Sequence, residues 1–334
     1  MSGQQTPLVS VVTPVYNGGR YLRECIERVI AQTYANWSYT VVNNRSTDDS
    51  LQIAQHYARL DPRIRVHDNA EFLPIIDNHN RALSLIEPDG SYCKPLMADD
   101  WLYPECIERM VDCALARPAI GLVCCFGVTA KNEIFFAHLP AASAPVTHLT
   151  GRAACRLSFL EDRNFFGSPT SMLVRADLIR KRVPFYDRNN LHADAQSCYD
   201  ILRESDFAFI HRVLVFIREH EHSYASALGN PESILAGRVY TLAKYGHAYL
   251  DDAEFERRLG ERQREYYAGL AVAAVRVPGK QFWEFHRRML LLSGAPLDRW
   301  RLARALAVYM ARRLTSPVSL VRGIATRVAA LIRR

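Results

Sequence analysis

From Arg299 to Arg334 the sequence has no aspartate or glutamate, yet nine arginines fall there. Removing those nine from the formal net charge of +7 leaves residues 1–298 at about −2. A basic body with a nucleic-acid footprint is thereby excluded, and no nucleic-acid partner is expected. Also missing is any run of about 18 apolar residues, the least that spans a bilayer. The opening MSGQQTPLVSVV has no basic segment followed by an apolar run of signal length, so a cytoplasmic protein is expected. The eight cysteines form no C-x-x-C pair and stand among apolar neighbours, where a thiol acts as a small hydrophobe, as in a reducing compartment. Internal repeats and low-complexity segments are absent. So is a glycine-rich phosphate loop with its basic residue after the first apolar run, which reads TPVYNGGRYL.

What is present is ordinary for a globular chain: 49% hydrophobic and 23% charged residues over 334 positions, enough for one large domain and an appendage. Short β-branched runs alternate with helical stripes. Leu8–Pro14, Tyr39–Val42, Arg63–His67, Tyr92–Met97 and Ile120–Val128 read as strands. Tyr21–Ile30, Ser50–Leu60, Asn78–Ile86 and Pro104–Ala116 read as amphipathic helices between them. That alternation predicts an α/β fold, a mainly parallel, Rossmann-like sheet flanked by helices. Further strands are expected at Ser171–Val174 and Phe207–Ile217, with a helix over Ala193–Arg203. From Pro231 onward the pattern is helical. In such sheets ligands bind beyond the carboxyl ends of the strands. Three polar clusters fall there: Thr13 to Asn17, Asn43 to Asp48, and Asp99-Asp100.

Two adjacent carboxylates after a strand repel each other. A divalent cation bridging to a diphosphate relieves that repulsion; a helix start at Pro104 is the competing explanation. The residues alone leave both open.

The segments SVVTPVYN, AQTYANW, VVNNRSTDDS and GSYCKPLMADDWLYPECIERM, in that order and spacing, resemble glycosyltransferase family 2, over roughly residues 7–225. The resemblance implies the GT-A fold. It implies a catalytic domain over 1–228, with a nucleotide-sugar half at 7–128 and an acceptor half at 129–228, followed by a helical region over 229–334. By position, Thr13, Pro14, Tyr16, Asn43 and Asn44 would bind the donor nucleoside. Asp99 would lie near the ribose, and Asp100 would hold Mg²⁺ or Mn²⁺. Asn78, in Asn78-His79-Asn80, matches a donor-side segment, although a helix cap explains it equally. Leu191–Tyr199 resembles the family's base segment, in which Asp194 would remove the acceptor proton. Arg218-Glu219-His220 resembles an R-x-H segment whose His220 would reach the metal. FFGSPT, with Gly167 and Ser168, together with His192, would face the acceptor.

The departures are specific. Asn43 and Asn44 stand where the family usually has two aspartates, and Met97 where the first acid of D-x-D often stands. An asparagine amide still matches uracil N3–H and O4, which favours a UDP-sugar. Q-x-x-R-W is absent, which favours one sugar per encounter. The implied activity is an inverting, non-processive transfer from a nucleotide-sugar to a hydroxyl of a glycan or lipid-linked glycan, in cell-surface polysaccharide or lipopolysaccharide assembly. A nucleotidyltransferase and a catalytically degenerate nucleotide-binding protein are the rival readings. The basic amphipathic tail, residues 297–334, is expected to meet an anionic membrane surface, placing the protein peripherally at the inner face of the plasma membrane. A helical hairpin with a solvated basic face is the alternative.

Overall fold

The computed structural model describes residues 6–135, 144–161, 166–190, 192–218, 231–276 and 278–315. The chain forms two compact units, residues 1–227 and 228–334.

The first unit is built on a ten-stranded mixed sheet. Its first half runs β1 (Val9–Val15), α1 (Gly19–Ile30), β2 (Trp37–Asn43), α2 (Ser50–Leu60), β3 (Ile64–Asp68), α3 (Ile75–Ser84) and β4 (Tyr92–Pro95). There follow β5 (Trp101–Leu102), α4 (Cys106–Leu115), β6 (Ile120–Val128), β7 (Ile134–Phe135), β8 (Val146–Leu149) and α5 (Gly151–Glu161). A 3₁₀ turn, Pro169–Ser171, leads into β9 (Met172–Arg175), α6 (Ala176–Arg180), α7 (Ala193–Ile201) and β10 (Asp206–Phe216).

The order across the sheet is β3-β2-β1-β4-β9-β6-β10-β5, with β7 beside β6 and β8 beside β10. β1, β2, β3 and β4 pair in parallel, as do β6 and β10. β9 enters antiparallel between β4 and β6. β1 is apolar on both faces because helices cover both: Val9, Val11, Val12 and Val15 are all buried. α1 presents Leu22, Cys25, Ile26 and Val29 to that sheet, the i, i+3, i+4, i+7 stripe of an amphipathic helix. All eight cysteines are buried, and none forms a disulfide.

The second unit holds α8 (Pro231–Tyr245), α9 (Asp252–Ala274), α10 (Lys280–Leu292) and α11 (Arg299–Thr315). α9 opens on a capping box, Asp251 with Glu254. Its core joins Val239, Tyr266, Leu270, Met289 and Leu290, and the Tyr266 hydroxyl and His286 Nδ1 lie 2.6 Å apart within it. No helix among the described residues is long and apolar enough to cross a membrane.

Candidate active site

The carboxyl ends of β1 and β2 lie side by side, Val15 opposite Asn43, and the loops that follow are laced together. Asn17, at φ 51°, adopts the left-handed conformation an asparagine tolerates. Its Oδ1 accepts from the Thr47 amide at 2.8 Å, and its own amide donates to Ser46 Oγ at 3.0 Å. At the start of α1, the Gly19 amide donates to Asp48 Oδ2 (2.9 Å) and the Gly18 amide to Ser50 Oγ (2.9 Å). Gly19 admits no side chain, because a Cβ would sit 1.9 Å from Asp49 Oδ1. A protein carboxylate therefore fills the helix N-terminus, the place where a nucleotidyltransferase-type loop receives phosphate.

Several expected nucleoside contacts turn inward. Thr13 is fully buried, with its hydroxyl 2.9 Å from that of Tyr39. Asn43 Nδ2 donates to Asp68 Oδ1 at 2.7 Å. Asn44 grips one peptide with both halves of its amide: Nδ2 donates to the Leu73 carbonyl (2.8 Å), and Oδ1 accepts from the Leu73 amide (2.9 Å). Asn69 Nδ2 ties that amide to Asn78, donating to Asn44 Oδ1 (3.0 Å) and to Asn78 Oδ1 (2.9 Å). These side chains are at most 4% exposed. Thr13, Asn43, Asn44 and Asn78, expected to face the nucleoside, thus have polar side-chain groups paired within the protein, where they shape the loops. What the loops present is Pro14, half-buried, and Tyr16, half-exposed with its ring edge-on to exposed Phe72 at 5.0 Å. The Asn44 grip on Leu73 fixes Phe72 there.

α3 carries a second clamp of the same kind. Asn80 Nδ2 donates to the Tyr186 carbonyl at 2.9 Å, and its Oδ1 accepts from the Tyr186 amide at 2.7 Å. Tyr186, His79, Met97 and Pro14, with Val12, Pro95, Ala82 and Leu83, line a small cleft between α3 and the strands β1 and β4. Burial pushes the His79 imidazole down to about 4, so it is neutral there.

At the end of β4 the chain turns through Met97–Asp100, closed by the Asp100 amide donating to the Met97 carbonyl (3.1 Å). Asp100 is 4% exposed and both its oxygens are engaged. Oδ2 accepts from the Thr170 hydroxyl at 2.6 Å and Oδ1 from the Arg218 amide at 2.8 Å. Burial, and then the neighbouring Asp99 charge, push its carboxyl up to about 8, while the two donors pull it back. Asp100, the expected metal ligand, thus has both carboxylate oxygens engaged by protein donors. Of the pair, Asp99 is the carboxylate that is partly exposed.

Arg218 braces the turn. Its guanidinium donates to the Asp99 carbonyl (2.9 Å) and to Glu24 Oε2 on α1 (2.8 Å), and lies 4.4 Å from the Tyr21 ring centroid. Lys94, buried within β4, donates to the carbonyls of Thr170 and, at 2.9 Å, Met172, fixing the 3₁₀ turn that supplies the Thr170 hydroxyl. The contacts of Thr170 with Asp100, and of Lys94 with the Thr170 and Met172 carbonyls, escape sequence reasoning because they form only through β9's insertion beside β4. Among the described residues no cluster of three His, Cys, Asp or Glu side chains is poised to hold a metal. His220 lies outside the described residues.

Asp194 is half-buried in the first turn of α7. Burial raises its carboxyl, against the opposing pull of the Ala195 amide and His192. The loop before it is stapled by Asn190 donating to Gln196 (2.7 Å) and Gln196 donating to Asp187 (3.2 Å). Burial, then the Asp194 charge, push the Tyr186 phenol well above its ordinary range, which puts that cleft-lining ring within electrostatic reach of Asp194. Gly167 is buried at φ 80°, where only glycine is unstrained. The Ser168 hydroxyl, expected to face the acceptor, is enclosed without a hydrogen-bond partner. His192 is the half-buried residue preceding α7.

The profile of Glycosyl transferase family 2 matches residues 10–183, more than half of the chain. An uncharacterized glycosyltransferase of Haemophilus influenzae is 36% identical over 108 residues, which are 32% of this chain and 33% of that protein. The putative teichuronic acid biosynthesis glycosyltransferase TuaG of Bacillus subtilis is 32% identical over 111 residues, 33% of this chain and 43% of its own. These matches thus span well under two thirds of the relatives' length. Among solved structures, S. aureus TarS 1–349 in complex with UDP-GlcNAc superimposes with a TM-score of 0.62 at 15% identity, covering 84% of this chain and 79% of that one. The mannosyltransferase PcManGT of Pyrobaculum calidifontis, in complex with GDP-Man and Mn²⁺, gives 0.54 at 17% identity, covering 98% and 86%. The chain belongs to glycosyltransferase family 2 and has the GT-A fold.

Proposed function

We propose that the protein transfers a single sugar from a nucleoside-diphosphate sugar to a hydroxyl of a glycan acceptor, with inversion at the anomeric carbon. The observation that carries this reading is the braced acid turn after β4: Asp100 held inward by Thr170 and Arg218, with the half-buried Asp99 next to it. Pro14, Tyr16 and Phe72 form the apolar wall against which the donor's nucleoside rests. Asn44 holds the Leu73 peptide with both halves of its amide, so the donor base is left open between UDP- and GDP-sugars.

A divalent cation fits this turn through one carboxylate. Mg²⁺ and Mn²⁺ sites at nucleotides take one or two protein carboxylates and fill their remaining positions with phosphate and water, and Asp99 is the partly exposed oxygen donor. Asp100, buried and doubly hydrogen-bonded, positions the turn. When bound, the cation neutralises charge on the departing diphosphate.

Asp194 takes the proton from the acceptor hydroxyl. The acceptor oxygen forms its bond to the anomeric carbon as the bond to the diphosphate oxygen breaks, and the nucleoside diphosphate leaves with that electron pair. The raised carboxyl of Asp194 suits a base that works near neutral pH. A lipid-linked acceptor in cell-surface polysaccharide assembly accords with TuaG among the relatives.

The test is nucleotide release from a panel of UDP- and GDP-sugars under Mn²⁺ or Mg²⁺ titration. Release that requires the metal, with Asp99→Asn raising the metal concentration needed at least tenfold, is the expected result. Binding of a nucleotide-sugar without any turnover at any metal concentration returns the protein to the degenerate-fold reading.

A further inference from the structure

We infer that the outward face of α11 docks on an anionic lipid surface. The second unit packs one side of this helix inward: Leu302 and Ala305 lie against the Tyr266–Leu270 core. The Asp298 amide, just before the helix, donates to the Tyr267 hydroxyl at 2.8 Å. With that side fixed, the opposite side faces solvent over a helix about 25 Å long, and its side chains are of the wrong kind for water. Trp300 is 86% exposed, Val308 46% and Met310 45%. Ala303, Ala307 and Ala311 are exposed on the same side. Arg304 stands on this face between Trp300 and Val308, and Arg299, Arg301, Arg312 and Arg313 flank it, all exposed; Arg301 pairs with Asp298, and no acid follows from Arg299 to residue 334.

An exposed tryptophan at one end of an apolar strip, rimmed by one sign of charge, matches the boundary between headgroups and acyl chains. There the indole is half-solvated, and arginine meets lipid phosphate while its stem lies on apolar surface. The charge pattern decides among occupants. A nucleic-acid backbone would satisfy the arginines but leave Val308 and Met310 in water. A second copy of the same face would bring five arginines against five, with Asp298, already paired with Arg301, the nearest acid in sequence. An anionic bilayer accepts both the apolar strip and the basic rim, and the four further arginines of residues 316–334 carry the same sign. This inference does not depend on the transferase reading.

The experiment is sedimentation of the full chain with vesicles of phosphatidylcholine alone and of phosphatidylcholine with phosphatidylglycerol. Tryptophan emission is followed in parallel. Association with the phosphatidylglycerol vesicles, a blue shift that Trp300→Phe abolishes, and release by high salt are expected. Arg304→Glu and Arg312→Glu, checked for unchanged circular dichroism, should each weaken binding about fivefold or more, since one arginine near anionic lipid is worth about 1 kcal/mol. Trp300→Ala should weaken it comparably. The inference is overturned by no association, by equal association with pure phosphatidylcholine, or by unchanged binding in the α11 variants. The last result assigns attachment to another segment. Concentration-dependent dimerisation that Trp300→Ala abolishes also overturns it, in favour of a second copy.

Discussion

The loops of the nucleotide half and the segment around Asp194 use the same side chain for unlike ends. Asn44 and Asn80 each grip both hydrogen-bonding groups of one peptide, Leu73 in the first case and Tyr186 in the second. Asn44 sits inside a buried amide network with Asn69 and Asn78, so its loop is held from several directions. Asn80 holds a stretch that Arg188 also ties to α3 through Asp77, and that is stapled within itself by Asn190 to Gln196 and Gln196 to Asp187. The first region is a scaffold with an apolar face; the second is a short arm carrying one reactive group. Motif residues of the first region should therefore report on stability and donor affinity, and those of the second on turnover.

The strongest test of that division is Asp194→Asn. Loss of a general base typically costs 10²–10⁴-fold, so turnover should fall by that factor while donor affinity, read by calorimetry, stays within about twofold. The pH profile sharpens it. Because burial raises the Asp194 carboxyl, the base is protonated and idle at low pH. kcat/KM should climb as pH rises through a point above the usual 3.8 and then level off. Asp194→Asn should flatten that limb. A limb unchanged in the variant assigns the base elsewhere.

Arg218 comes next in size. It joins α1, the acid turn and the end of β10 through Glu24, the Asp99 carbonyl and Asp100. Arg218→Ala keeps the main-chain bond to Asp100 but loses two hydrogen bonds, one charge-assisted on both sides; with about 1.4 kcal/mol per factor of ten, kcat/KM should drop about tenfold or more. Arg218→Lys should restore only part, since an ammonium lacks the planar fork that spans both acceptors. A fall in melting temperature with unchanged kinetics identifies Arg218 as a packing residue alone.

Asn44→Ala addresses the scaffold. It leaves the Leu73 amide and carbonyl without partners and removes one of two acceptors from Asn69. An unmet buried group costs about 1–3 kcal/mol, so the urea midpoint should shift by a loss of that order. Donor affinity should fall severalfold as Phe72 loosens from Tyr16. Equal loss of affinity with no loss of stability argues that Asn44 contacts the nucleoside after all.

Why the sequence did not reveal the Asn44 clamp on Leu73 has a physical answer. An asparagine amide offers one acceptor and one donor edge, and uracil and a peptide both complement it. Residue type cannot choose between them; only burial can. The acid turn was legible in position but not in orientation, because Thr170 and Arg218, which turn Asp100 inward, lie 70 and 118 residues away. The strands β1, β2, β6 and β10 were readable from their apolar runs, and α1 and α2 from their stripes. β5 and β7, of two residues each, are too short for any period to register. That β9 runs antiparallel between two parallel neighbours is a matter of tertiary path. α3 begins at Ile75, three residues before the expected Asn78, because Pro74 is suited to the helix start and its carbonyl accepts from the Asn78 amide.

The smallest effect is expected for Asn80→Ala, and it distinguishes arm from scaffold most directly. The substitution removes two neutral hydrogen bonds to the Tyr186 backbone, each worth about 0.5–1.5 kcal/mol net. Asn80 is only half-buried, so water takes up part of the loss and global stability should change little. Tyr186, which lines the cleft and lies within electrostatic reach of Asp194, then loses its tie to α3. Misplacement of a reacting group is felt in the transition state more than in binding. kcat should therefore fall about three- to tenfold with donor affinity unchanged, the reverse of Asn44→Ala. If the two variants instead move the same quantities in the same proportion, α3 is a single rigid unit serving both ligands, and the division between scaffold and arm does not hold.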